Sequence, residues 1–104
     1  MTTDRTPPKV FKLIGEVDLA RQAELDAIAA AAAEAELAIV DMTEITFLDT
    51  TVINWLLRTK RLIEERKGRL RVVAPQGLVT RLIAIAELEG VIEVFPTHLD
   101  ATEP

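Results

Sequence analysis

Leu37-Ala38-Ile39-Val40 is apolar at every position and lies between two segments of helical character. A run so short and so uniformly apolar suits a strand covered on both faces, as in a parallel sheet. Parallel strands need long crossovers, usually helical, and the flanking segments supply them. Upstream, Leu19 to Glu36 carries Ala27 and Ala29 to Ala33, the best helix formers. Leu25, Ile28, Ala32 and Ala35 recur at steps of three and four, which predicts one buried stripe. Downstream, Thr51 to Lys67 places Val52, Leu56, Thr59 and Ile63 on one helical face, with Ile53 and Leu57 beside them. Gly68 follows as a stop signal, with Arg66 and Lys67 at the negative end of the helix dipole.

The same alternation extends in both directions. Val10 to Val17 reads as a first strand interrupted by Gly15, and Leu70 to Ala74 as a strand closed by Pro75. Leu78 to Leu88 reads as a helix closed by Gly90, and Val91 to Phe95 as a last short strand before Pro96. Asp41 is read as a strand end, and Met42 to Phe47, with polar Thr43, Glu44 and Thr46, as a connection. The expected fold is a single small α/β domain with a mainly parallel, four- to five-stranded sheet packed by helices. It spans residues 10–96, between a flexible N-terminus (1–9) and a flexible C-terminal tail (97–104). The helix at 78–88 is apolar nearly all round, with Arg81 and Glu87 its charges, which suggests a face for another protein.

Composition narrows the function. The 104 residues carry 12 basic and 17 acidic side chains, a net charge of -5, so nucleic acid is a poor partner. There is no cysteine, which excludes disulfides, thiolate metal sites and thiol chemistry. The one histidine, His98, lies in the tail, so a histidine-based triad or multi-histidine metal site is not expected. The four glycines are dispersed, and no phosphate loop, nucleophile pair or general base can be assembled. The chain therefore reads as neither an enzyme nor a cofactor carrier. Met1 to Lys9 is polar with Pro7 and Pro8, and apolar stretches are broken before membrane-spanning length, so a cytoplasmic location is expected.

In parallel α/β sheets chemistry gathers where strands end and helices begin. Three such junctions are acidic or hydroxyl-rich: Glu16 and Asp18; Asp41 to Glu44; and Asp49, Thr50 and Thr51 at the mouth of the second helix. A Thr or Asp at a helix start can simply cap a free backbone N–H. Alternatively, the free N–H groups and positive dipole end suit a phosphate, which makes a hydroxyl there a phosphoacceptor. Asp41, Glu44 and Asp49 could offer oxygen ligands to magnesium, but acidic loop residues are ordinarily just solvated, and no metal is expected. Trp55 falls off the main apolar face, and its position suits a core role and a partner contact equally.

The pieces Gly15-Glu16-Val17-Asp18-Leu19, Val40-Asp41-Met42-Thr43, Ile45-Thr46-Phe47-Leu48-Asp49-Thr50-Thr51 and Leu70-Arg71-Val72-Val73-Ala74-Pro75 together resemble STAS domains. Among these they are most similar to bacterial anti-sigma factor antagonists. The resemblance runs in order from about Val10 to Phe95. It implies that Asp49 is the motif aspartate, Thr50 the phosphorylated position, and Thr51 the second hydroxyl residue and the lesser candidate. It further implies a switch that acts in transcription regulation and stress response. The unmodified domain binds an anti-sigma factor that is also a serine/threonine kinase, which frees the sigma factor; phosphorylation ends the binding and a phosphatase restores it. The expected docking surface is Glu16, Asp18, Thr43, Asp49, Thr50, Thr51, Asn54 and Trp55.

The sequence departs from the family pattern at several points. Val52 and Asn54 stand where glycines are usual, and Thr50 stands where serine is usual. A strand that commonly comes first is missing before Val10, which would leave a sheet edge free, and the C-terminal helix is short or absent. Two other readings remain. One is a receiver-like domain phosphorylated on Asp41, although the late strand ends Val73-Ala74-Pro75 without a lysine. The other is a constitutive STAS adaptor in a transporter-associated or stressosome-like complex. The sequence leaves a homodimer open.

Overall fold

The structure, a computed structural model, describes residues 7–48, 50–74, 77, 81 and 92–96. Within them the chain runs β1 (Lys9–Val17), α1 (Gln22–Ala32), β2 (Leu37–Leu48), α2 (Thr50–Glu65), β3 (Arg69–Val73) and β4 (Glu93–Phe95). The four strands form one sheet in the order β1-β2-β3-β4, and every pairing is parallel. The parallel α/β sheet expected from the alternation is therefore present. Apart from Arg81, the helix expected over 78–88, with its apolar face, and the tail with His98 lie outside the described residues.

Alternation along the strands divides the buried residues between two faces. Leu13 and Val17 of β1, Ala38, Val40 and Met42 of β2, and Leu70 and Val72 of β3 form one core. Leu25 and Ala32 of α1 and Val52, Ile53, Trp55, Leu56 and Ile63 of α2 join it. Both helices thus cover the same side of the sheet. The opposite side holds a smaller cluster, Ile39 and Val73, with Leu37 and Phe95 against them. There Arg71 lies over the Phe95 ring, 5.3 Å from its centroid, a contact that adds cation–π attraction to burial.

The stripes read from periodicity are in place. Leu25, Ala32 and Ala35 are buried and Ile28 is half-buried; Val52, Leu56, Thr59 and Ile63 are all fully buried. The first helix is shorter than its alanines suggest. It is preceded by a 3-10 turn over Leu19–Arg21 and ends at Ala32, because the chain must turn to enter β2. The Ala33 N–H keeps a helical bond to the Ala29 carbonyl, and the Glu34 and Ala35 N–H groups make tighter bonds, three residues back, to Ala31 and Ala32.

The largest departure is β2. Asp41 does not end a strand, and Met42 to Phe47 is not a connection: the strand continues to Leu48. β3 pairs with β2 only over Leu37 to Asp41, so among the described residues the second half of β2 has β1 alone as its strand neighbour. Between Lys12 and Ile14, and again between Gly15 and Glu16, β2 advances one residue more than β1. Each shift is a bulge that resets which side chains face the core.

Candidate functional site

β1 and β2 run side by side to a last register pair, Val17 with Leu48. Asp18 follows one of these residues directly, and Thr50 follows the other by two positions. The first and third acidic junctions therefore meet at the carboxyl end of the sheet. Asp18 has extended backbone, and its Oδ1 accepts the Ala20 N–H at 3.0 Å. The capping role is thus filled on this side, and it starts the turn that leads into α1.

Thr50 is the first residue of α2, a helix of 16 residues, and it is exposed. Two and three positions on, Val52 and Ile53 are buried in the core and fix the helix mouth against the sheet. Thr51 is half-buried, and Asn54, one turn after Thr50, is exposed on the same side of the helix. The substitution of valine for glycine at position 52 therefore leaves the outer surface untouched, because the side chain points inward. Asn54 does add bulk outside. Asp49 lies outside the described residues.

Two expected docking residues do not belong to this site. Trp55 is 1% exposed, and its indole N–H donates to the Leu25 carbonyl at 2.8 Å. It packs α2 against α1, away from Thr50. Thr43 is exposed but sits in the middle of β2, at the first bulge, five residues before the strand ends. Its N–H and its hydroxyl both donate to Asp41 Oδ1, at 2.9 and 2.7 Å. The second acidic junction is thus a bulge lock and not a strand end. The receiver-like reading fails with it, since Asp41 is mid-strand and only 4% exposed. Glu44 is engaged by Lys12 in an exposed ion pair, whose hydrogen bond raises the Lys12 pKa.

Residues that sequence reasoning passed over also gather at this end. Leu19 follows Asp18, and Phe47 is the register partner of Glu16; both are large, apolar and exposed. The signal for Phe47 was its place in the strand before the helix mouth. Reading that strand as a connection hid it. Arg21 is a second addition. Its guanidinium donates to the Ile14 and Glu16 carbonyls at 2.6 and 2.8 Å and to both carboxylate oxygens of Glu24 at 2.8 Å. The hydrogen bond between them raises the Arg21 pKa and lowers that of Glu24. The pair tethers α1 to the β1 segment that carries Glu16. Among the described residues no helix is long and apolar enough to cross a membrane.

The chain's likeness to known proteins agrees with this geometry. An anti-sigma factor antagonist from Mycobacterium paratuberculosis superposes with a TM-score of 0.82 at 25% identity, over 97% of this chain and 87% of that one. The anti-sigma factor antagonist SpoIIAA in its unphosphorylated form gives 0.75 at 22% identity, over 97% and 88%. The STAS domain of a SulP transporter from Vibrio cholerae gives 0.74 at 16% identity, over 90% and 77%. Sequence comparison with curated proteins gives no match. The sequence profile of the STAS domain matches residues 1–101, nearly the whole chain, and this protein belongs to the STAS domain family.

Proposed function

We propose that the domain is an anti-sigma factor antagonist switched by phosphorylation at Thr50. In the unmodified state it binds an anti-sigma factor that is also a serine/threonine kinase, and so releases a sigma factor for transcription. The kinase transfers the γ-phosphoryl group of ATP to Thr50 Oγ1, with loss of the hydroxyl proton and release of ADP. A phosphatase reverses the step by hydrolysis. The domain is the substrate and not the catalyst.

The observation that carries this reading is the exposure of Thr50 at the first position of α2. A kinase must reach the hydroxyl, and a partner must sense what is added. Phosphate brings roughly -1.5 to -2 charges and three acceptor oxygens. The N-terminal end of α2 tolerates that dianion through the positive end of its dipole, so the modified domain stays folded. A docked partner meets new bulk and repulsion instead. The proposed docking surface takes in Thr50, Thr51 and Asn54 on α2 and Glu16 and Asp18 at the end of β1, with Asp49 included by its place in the sequence; the exposed Leu19 and Phe47 add apolar area. Thr51 is the lesser acceptor because it is half-buried. The likeness to two anti-sigma factor antagonists supports the partner class.

The test is binding to the anti-sigma kinase encoded by the same genome, measured by calorimetry. Thr50→Ala should bind as the wild type does and lose sensitivity to ATP. Thr50→Asp should bind at least about tenfold more weakly, the equivalent of about 1.4 kcal/mol. Equal affinity for both variants would eliminate the switch and leave a constitutive adaptor.

A further inference from the structure

We infer that Arg21 is a latch on the outer edge of β1, and that the edge it closes is a docking strand for a second copy of this chain. β1 ends the sheet, with β2 its only strand neighbour among the described residues. A strand turns its peptide groups alternately to either side, so carbonyls two residues apart face the same way. The Arg21 Nη1 group donates to two such carbonyls, those of Ile14 and Glu16. Those are bonds that an added strand would make. The fork is held in place from behind, because Nε and Nη2 bond the two Glu24 oxygens. Gly15, between the two carbonyls, has a φ of 79°, so it is the shared Arg21 group, and not regular alternation, that shows both carbonyls facing the same way.

The rest of the strand is made for pairing. Val10 and Ile14 are 48% and 53% exposed. Val10, Lys12, Ile14 and Glu16 alternate along β1 on the face away from the helices, since Leu13 and Val17 hold the core face. Antiparallel pairing of two β1 strands about a two-fold axis through Ile14 sets Ile14 against its own copy. It sets each Lys12, which within its own chain pairs with Glu44, opposite Glu16 of the second copy. In that register the Ile14 and Glu16 carbonyls that Arg21 occupies belong to the paired residues, so charge match and hydrogen-bond match coincide there. The contact is isologous and closes on itself, which makes a dimer and not a fibre.

Sedimentation velocity over a wide range of protein concentration tests this, with far-UV circular dichroism as the check on folding. The wild type should sediment at the monomer mass of 11.5 kDa. Arg21→Ala should keep its fold and move to twice that mass as concentration rises. Adding Lys12→Glu should return it to monomer by raising the dissociation constant at least about tenfold. Exchanging both charges, Lys12→Glu with Glu16→Lys, should restore the dimer. A folded Arg21→Ala that stays monomeric overturns the latch. A dimer indifferent to Lys12→Glu, in the variant or in the wild type, overturns the docking strand. If Arg21→Ala loses its fold, Glu24→Gln, which loosens the guanidinium without removing it, decides by the same criteria.

Discussion

The two ends of α2 are built on different terms. At the carboxyl end the backbone leaves little choice. Gly68 N–H reaches the Ile63 carbonyl and Lys67 N–H the Glu64 carbonyl, both at 2.9 Å, which closes the helix with paired reverse bonds. Lys67 holds the left-handed conformation, φ 66°. Gly68 sits where a Cβ would lie 2.5 Å from the Ala35 carbonyl oxygen and 2.8 Å from Ile63 Cγ2. At the amino end, Thr50 is exposed, and the helix is anchored by the buried Val52 and Ile53 that follow. Packing dictates the residues of the first end, whereas on the proposed reading the hydroxyl at position 50 answers to a partner outside the fold.

That contrast is open to direct attack, and the carboxyl end should give the largest effect. Gly68→Ala forces a methyl group against a backbone oxygen that cannot swing aside, and should cost about 2–3 kcal/mol in chemical denaturation. A loss too small to measure would show that the close approach relaxes easily. In the middle of the helix, Thr59 Oγ1 is buried with no hydrogen-bond partner among the described residues. Thr59→Val should therefore leave stability unchanged or raise it by about 1 kcal/mol, because an unsatisfied hydroxyl is replaced by an apolar group of the same shape. Lys67→Gly relieves the left-handed strain at the cost of a more flexible unfolded chain, and should raise stability by about 0.5–1 kcal/mol. Thr50→Ala should be the smallest, within about 0.5 kcal/mol. A much larger loss at position 50 would mean that its hydroxyl serves the fold after all.

The parallel sheet and both helices were legible because each element buries one side, and burial imposes a period; the strand order and the shared face of the helices were not read from the sequence. Thr59 and Ile63 fell on the predicted stripe for that reason. The second half of β2 was not legible. It lacks β3 as a neighbour, its outer face meets water, and two bulges break the alternation, so Thr43, Glu44 and Thr46 imitate a loop. Trp55 was ambiguous for a different reason. Helical periodicity records the face turned to the sheet and contains nothing about α1, which covers Trp55 from the side. Gly68 was read as a helix stop chosen for its conformation, but the left-handed position belongs to Lys67, and what Gly68 supplies is room. Arg21 had no sequence signal, because its partners are main-chain oxygens.

The most direct test of the account is to incubate the protein with ATP and the anti-sigma kinase from the same cell, and to map the phosphate by mass spectrometry. The account predicts a single acid-stable phosphate on Thr50 that disappears in Thr50→Ala. Phosphate confined to any other residue, or an unmodified Thr50 under conditions in which the kinase is active and bound, would contradict it.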